Sequence, residues 1–448
     1  MSMDTPICDF VRRYADSDAL RLHMPGHKGK QLLGMEQLDI TEFDGADNLY
    51  APQGIIRKSQ ENAGALFGAN TFYSTEGSSQ CIRAMLYLAV LYARQQGKRP
   101  LIAAARNVHK TFLSAAALLD FEIDWLYPEK ADAYLSCLLE VDALDARLEQ
   151  MAQKPVAVYV TSPDYLGHVA DIGGLARVCH RHGCLLLVDN AHGAYLRFLT
   201  PSRHPMDLGA DLCCDSAHKT LPVLTGGAYL HIGHAAPKLC LEQANNALML
   251  FGSTSPSYLI LQSLDAANAY LADGYPQRLA ALTDRVAGLK KRLVTHGYTL
   301  RGDEPLKLTI CPKPYGYTGT ALAGLLLEQG MVCEFYDDDF LVIMLTPEIT
   351  PEDLQRLEHG LCAIPRQPAI LQAPPAFHRC QAVMAVREAA LSPCKTVPVA
   401  ESVGCILAAA SVSCPPAVPI VVCGERIDAA AAACLTYYGI DSCTVVSV

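Results

Sequence analysis

The segment Asp215-Ser216-Ala217-His218-Lys219-Thr220 follows directly on the apolar run Leu212-Cys213-Cys214, so a lysine stands where an inner strand ends. An ammonium group in apolar surroundings is costly unless it is paired, neutralised or bonded to something. Lys219 is therefore either a surface residue at a strand end or the anchor of a cofactor. Other apolar runs also end in chemically capable groups. Asp189-Asn190-Ala191-His192 follows Leu185-Leu186-Leu187-Val188, and Asn107-Val108-His109-Lys110 follows the run beginning at Leu101. Upstream, Thr75-Glu76-Gly77-Ser78-Ser79 precedes the helical run QCIRAMLYLAVLYARQQ. A Gly-Ser-Ser turn that opens a helix offers backbone N–H groups, two hydroxyls and the positive end of the helix dipole, which suits a phosphate. A lysine for a Schiff base, a carboxylate for a pyridinium nitrogen and hydroxyls at a helix start together describe a pyridoxal-phosphate site. The carboxylate matters most to the chemistry, because it keeps the ring nitrogen protonated and so lets electrons left at Cα flow into the ring.

Such residues need strands that end on one side of a sheet. In open parallel sheets ligands sit at the carboxyl ends of the strands. The middle of the chain alternates apolar runs with helical patterns, which predicts an α/β domain with a mostly parallel sheet covered by helices on both faces. Strands are expected at 101–105, 156–161, 185–189, 211–214 and 227–231, with an amphipathic helix over 171–183 that stops at Gly183. A long helix over 277–296 leads into a smaller α+β region. There LKLTIC, TGTALAGLLLEQG, MVCEFYDDD, FLVIMLTP and TPEDLQRLEHG read as strand, helix, strand, strand, helix. Thr350-Pro351-Glu352-Asp353 is a helix start, with threonine as N-cap and proline at the first helical position. Asp337-Asp338-Asp339 reads as a solvated turn between two strands. The expected organisation is an N-terminal arm (1–50), a large cofactor-binding domain (51–275), a small domain (276–365) and a C-terminal segment (366–448) behind a proline-rich passage.

Composition narrows the class. The chain has 448 residues, 51% of them hydrophobic and 18% charged, which excludes general disorder. A net charge of −10 without a long Lys/Arg cluster argues against nucleic acid as a partner. The start carries acids and arginines where a signal peptide needs an apolar stretch, and prolines interrupt the apolar run at 405–423, so a soluble, cytoplasmic protein without a membrane span is expected. The eighteen cysteines are expected to be free thiols. Cys179-His180-Arg181-His182-Gly183-Cys184 lacks a second ligand pair at zinc-like spacing, and Pro25 and Gly26 keep His23 and His27 off a shared helical face, so no metal is expected.

On these residues the sequence resembles the Orn/Lys/Arg decarboxylase family of fold type I pyridoxal-phosphate enzymes, in a short form without an N-terminal wing domain. The matching stretches are HMPGHKG (23–29), DITEFDGADNLYAPQGII (39–56), FYSTEGSS (72–79), NVHKTFLSAAAL (107–118), YVTSPDYLGHVADIGGLARVCHRHG (159–183), LLVDNAHGAY (186–195) and DSAHKTLPVLTGGAYL (215–230). The resemblance implies decarboxylation of arginine, lysine or ornithine to the corresponding amine, a step in polyamine biosynthesis. It makes Lys219 the Schiff-base lysine and Asp189 the pyridinium partner. His109 would stack on the ring, and His192 would lie beside the aldehyde oxygen or the reacting carbon. Gly77, Ser78, Ser79, Ser216 and His218 would surround the phosphate, and Lys219 or His218 would return a proton to Cα. A hydroxyl from a neighbouring subunit, Ser253 or Thr254, would complete the phosphate cup, which implies a homodimer or larger assembly with shared sites. HMPGHKG and the stretch 47–50 would line the substrate entrance.

The chain also departs from the family pattern. The usual Asp-Glu-Ala-His-Gly-Ala-His is here Asp189-Asn190-Ala191-His192-Gly193-Ala194-Tyr195, and the usual Asn-Gly-Ser-Thr is Glu76-Gly77-Ser78-Ser79. In the C-terminal segment, Cys414-Pro415-Pro416-Ala417-Val418-Pro419 and Cys423-Gly424-Glu425 replace Tyr-Pro-Pro-Gly-Ile-Pro and Pro-Gly-Glu. These changes motivate two rival readings: an aminotransferase or lyase of the same fold, and a catalytically degenerate cofactor-binding paralogue that acts as a partner or regulator.

Overall fold

The computed structural model describes residues 3–128, 133–409, 412–414 and 418–447. Seven strands make the large sheet: β1 (Asn70–Ser74), β2 (Leu101–Ala105), β3 (Glu122–Leu126), β4 (Ala157–Thr161), β5 (Leu185–Asp189), β6 (Leu212–Asp215) and β7 (Ala228–Ile232). Their order is β1-β7-β6-β5-β4-β2-β3. β5 runs parallel to β6 and β2 parallel to β3, whereas β7 is antiparallel to both β6 and β1. The sheet is thus mostly parallel, as expected, with an antiparallel end. Every residue of β5, β6 and β7 is buried, which is why these strands read as continuous apolar runs rather than alternating ones. The expected strand limits shift by about one residue, since 211–214 becomes Leu212–Asp215 and 227–231 becomes Ala228–Ile232. The two outermost strands, β1 and β3, were not anticipated: NTFYS and EIDWL are short, partly polar and partly exposed, as sheet edges are.

The chain forms two compact units, one of residues 1–100, 156–158 and 172–278, the other of residues 101–155, 159–171 and 279–448. In the first, the helix Ser78–Gln95 follows β1, and the helix Ile172–Arg181 leads into β5. The N-terminal helix Pro6–Ala15 is fastened by Asp265, which accepts from the backbone N–H of Ile7 (2.9 Å) and Cys8 (3.0 Å) and from the Ser59 hydroxyl (2.5 Å). The run from Cys179 to Cys184 spans a helix end and a strand start, where His180 bonds Asp211 at 2.9 Å. Cys179, Cys213, Cys214 and Cys240 are buried thiols.

In the second unit, β8 (Thr299–Arg301), β9 (Lys307–Cys311), β10 (Phe335–Tyr336) and β11 (Leu341–Met344) form a sheet in the order β10-β11-β9-β8, antiparallel at every pair. Thr350 caps the helix Pro351–Cys362 through a capping box with Asp353. The expected strand in MVCEFYDDD shrinks to two residues. The acidic run beside it is not a solvated turn: Asp337 accepts from the N–H groups of Asp339 and Phe340 and is pushed up to about 6 by burial, while Asp339 is buried against Lys313 (2.6 Å) and Tyr437 (3.0 Å). The turn needs acceptors for its own N–H groups and the buried lysine needs a counter-charge, so only Asp338 is left exposed. Arg106, itself 3% exposed, donates to the carbonyls of Pro419 (2.8 Å) and Ile420 (3.2 Å) and lies 3.7 Å from the Glu425 carboxylate. Pro415, Pro416 and Ala417 of the expected C-terminal departure lie outside the described residues. No described helix is long and apolar enough to cross a membrane.

Candidate active site

β5 and β6 are parallel neighbours with Asp189 in register with Cys214, so both strands release their following residues at the same edge. Lys219 sits in the single helical turn Ala217–Thr220 that follows β6. Its Nζ lies 3.0 Å from Nε2 of His192, three residues past the end of β5. Asp189, the last residue of β5, is 2% exposed; its Oδ1 accepts from the Ala191 N–H at 3.2 Å, with the Cys214 sulfur at 3.6 Å. A lysine, an imidazole and a buried carboxylate thus come from two adjacent strand ends.

The loop before the helix Ser78–Gln95 supplies the polar end of the site. Gly77 is the N-cap, held at φ 71° with its N–H donated to the Gly226 carbonyl at 2.7 Å. Gly226 must itself be glycine, because it has φ +101° and a Cβ there would stand 2.8 Å from the Thr75 carbonyl oxygen. Gly77 brings no side chain to the first N–H groups of the helix, and the first turn holds no acid. Ser216 donates its hydroxyl to that of Ser78 at 2.8 Å, so the turn after β6 meets the helix start. Ser79 lies in the same first turn. His218 donates from Nδ1 to the Gly227 carbonyl at 3.0 Å, and burial lowers its pKa below the ordinary imidazole value, which keeps it neutral near pH 7. The donor set fits pyridoxal phosphate: two hydroxyls and the helix-start N–H groups for the phosphate, a buried carboxylate for the ring nitrogen and an amine for the aldehyde.

His109 is the N-cap of the helix Lys110–Leu119 in the second unit. Its Nδ1 accepts from the Thr111 N–H at 3.2 Å, which places the ring proton on Nε2. Ser253 and Thr254 are exposed, and the Ser253 N–H donates to Glu76 of the same chain at 2.5 Å. Glu76 therefore spends its carboxylate on the loop at 253. In the HMPGHKG stretch, His23 stacks on Phe43 with ring centroids 4.5 Å apart, and His27 bonds Asp39 at 3.2 Å. Asp47 gathers the N–H groups of Asn48, Gln53, Gly54 and Ile56; against the opposing effect of burial these bonds hold its carboxyl below the usual range. Asp47 thus shapes the turn at 47–54.

Behind these residues lies a buried network centred on Asp215. Asp215, the last residue of β6, is fully buried, and its Oδ2 accepts from His204 Nε2 (3.0 Å) and His231 Nε2 (3.1 Å). Its Oδ1 accepts from the Asn190 amide at 2.7 Å. Burial alone would raise the Asp215 pKa, but the two imidazoles overcome it and hold the carboxyl well below the usual range. This network explains one departure from the family pattern. A carboxylate at 190 would face the Asp215 carboxylate in a dry site, whereas the Asn190 amide donates to it. The available signal was His231, a polar residue inside the apolar strand AYLHI.

A mostly parallel α/β sheet with a lysine, a carboxylate and a glycine-serine helix start at its strand ends fits a fold type I pyridoxal-phosphate enzyme. The family model "Orn/Lys/Arg decarboxylase, major domain" matches residues 5–301. The chain belongs to the Orn/Lys/Arg decarboxylase family, and is a pyridoxal-phosphate-dependent amino-acid decarboxylase. It is 28% identical to an arginine decarboxylase of Bacillus subtilis over 461 residues, covering 95% of this chain and 91% of the relative. It is 27% identical to an arginine decarboxylase of Halalkalibacterium halodurans over 463 residues, covering 94% and 91%. Among solved structures, lysine decarboxylase A from Pseudomonas aeruginosa superposes with a TM-score of 0.80 at 18% identity, covering 97% of this chain and 76% of that one. These matches do not favour the aminotransferase, lyase or degenerate-paralogue readings.

Proposed function

We propose that this chain decarboxylates a basic amino acid, arginine, lysine or ornithine, to the amine that serves as a polyamine precursor. The observation that carries the reading is the 3.0 Å approach of the Lys219 amine to the His192 imidazole, one strand away from the buried Asp189. When bound, pyridoxal phosphate supplies an electron sink for the pair released at Cα as carbon dioxide departs. Lys219 would hold the aldehyde, and its amine would be displaced by that of the substrate. His192 lies within proton-transfer distance of the lysine amine and shares its proton. Asp189, shielded from water, keeps the ring nitrogen protonated. Ser78, Ser79, Ser216, the Gly77 turn and neutral His218 would hold the phosphate, His109 would pack against the ring, and Lys219 or His218 would supply the proton to Cα.

The active unit in this reading is a homodimer, with Ser253 or Thr254 completing the partner's phosphate cup. Leu20, Leu22, Leu32 and Leu33 of the N-terminal segment are each more than 80% exposed, and such apolar surface supports coverage by a second copy. Purified protein supplied with pyridoxal phosphate and, in turn, arginine, lysine and ornithine should release carbon dioxide and the matching amine from one of them. No release from any of the three would reject the substrate assignment. Light scattering of the same sample should give twice the chain mass or a multiple of it; a monomer at full activity would reject the shared site.

A further inference from the structure

We infer that His378, Cys380 and Asp428 form a binding site for a zinc-like divalent cation, on residues that take no part in the cofactor site. Their ligating atoms all lie within 4.8 Å of one another, and none of the three side chains is fully buried. His378 and Cys380 are two apart in the stretch that leads into the strand Gln381–Ala382. Asp428 approaches from the N-cap of the helix Ala429–Tyr437. It divides its carboxylate: Oδ1 caps the helix by accepting from the Ala431 N–H at 2.9 Å, and Oδ2 lies 2.6 Å from His378 Nε2.

Imidazole, thiolate and carboxylate are the mixed donors that zinc accepts, and three protein ligands leave a fourth position for water. The side chains of His378 and Asp428 are 35% and 48% exposed, so an ion can reach the site and keep that water. A divalent cation would take the thiolate as a ligand and neutralise the Asp428 charge. Binding forms metal–sulfur, metal–nitrogen and metal–oxygen bonds. The thiol proton leaves to solvent, and the proton that His378 Nε2 donates to Asp428 leaves that nitrogen as well, passing through solvent to Nδ1 of a neutral ring or out to solvent from a doubly protonated one, so that Nε2 is free to ligate. The ion would fasten the stretch around 378, which also donates its N–H to the Tyr134 hydroxyl at 3.0 Å, to the start of the helix Ala429–Tyr437.

The test uses the full-length holoprotein, stripped with a chelator, incubated with zinc sulfate and desalted before metal counting. We expect one zinc retained per chain, with an X-ray absorption spectrum showing one sulfur at about 2.3 Å and nitrogen or oxygen ligands for the rest. Cys380→Ser, and Asp428→Asn, which keeps a capping side chain, should each weaken retention by more than the roughly 10–100-fold that loss of an outer-layer partner costs. Circular dichroism should be unchanged in both. Cys394→Ser, at an exposed cysteine elsewhere in the same unit, should retain zinc as the parent does. Absence of retained zinc, a spectrum without sulfur, or equal retention by Cys380→Ser would overturn the assignment.

Discussion

The Asn190→Asp substitution replaces one amide nitrogen by oxygen and reverses the electrostatics behind the cofactor site. Asn190 and Asp215 are both 0% exposed and joined by a 2.7 Å hydrogen bond from the amide to a carboxylate that His204 and His231 keep ionised. Two carboxylates about 4 Å apart repel by about 4 kcal/mol at an effective dielectric constant near 20. The lost charge-assisted bond removes about 1.5–3 kcal/mol more. The introduced carboxyl escapes part of this by taking up a proton, because Asp215 is the group held low. Its folded pKa therefore rises above its unfolded value, and stability falls as pH rises through the gap between the two. We expect a loss of about 4 kcal/mol near pH 8, shrinking to less than about 2 kcal/mol near pH 5, where the protonated acid donates as the amide did. Urea unfolding of the holoprotein across this range measures both ends. Asn190→Ala is the reference: it loses the bond but adds no charge, and should cost about 1.5–3 kcal/mol with little pH dependence. An Asn190→Asp protein as stable as the parent at pH 8, or one whose deficit does not change with pH, would refute the reasoning.

Three further outcomes follow from the geometry. Ser216→Ala removes the hydroxyl that meets Ser78 at the helix start and should weaken pyridoxal-phosphate affinity by roughly tenfold, about 1.4 kcal/mol, measured by cofactor titration of the stripped protein. Arg106→Ala strands the buried Glu425 carboxyl and two carbonyls, and should cost about 3–5 kcal/mol by urea unfolding. Burial already raises Glu425, so that deficit should widen as pH rises and more of the unpaired group must ionise in place. Asp265→Ala leaves the N–H groups of Ile7 and Cys8 and the Ser59 hydroxyl without their acceptor, and limited proteolysis should then release the N-terminal helix first.

The inner strands were legible because burial on both faces leaves them mostly apolar, and the polar residues at or just past their ends, Asp189, His192 and Lys219, stand out by contrast. The Gly77-Ser78-Ser79 helix start was legible for a related reason, since glycine followed by hydroxyls marks the opening of a helix. The edge strands β1 and β3 were not, because partial exposure leaves them without a pattern. The Asp215 network was hidden by sequence distance: His204, Asp215 and His231 become neighbours only through strand pairing and the loop before β6. The acidic run at 337–339 misled because charge alone does not distinguish a solvated turn from acceptors that serve buried N–H groups and Lys313.

The central claim is that Lys219 carries the cofactor beside His192 and Asp189. Borohydride reduction of the holoprotein followed by peptide mass spectrometry tests it most directly. The account predicts the phosphopyridoxyl group on the peptide containing Lys219 and on no other. Labelling at a different lysine, or none from a sample that still decarboxylates, would contradict it.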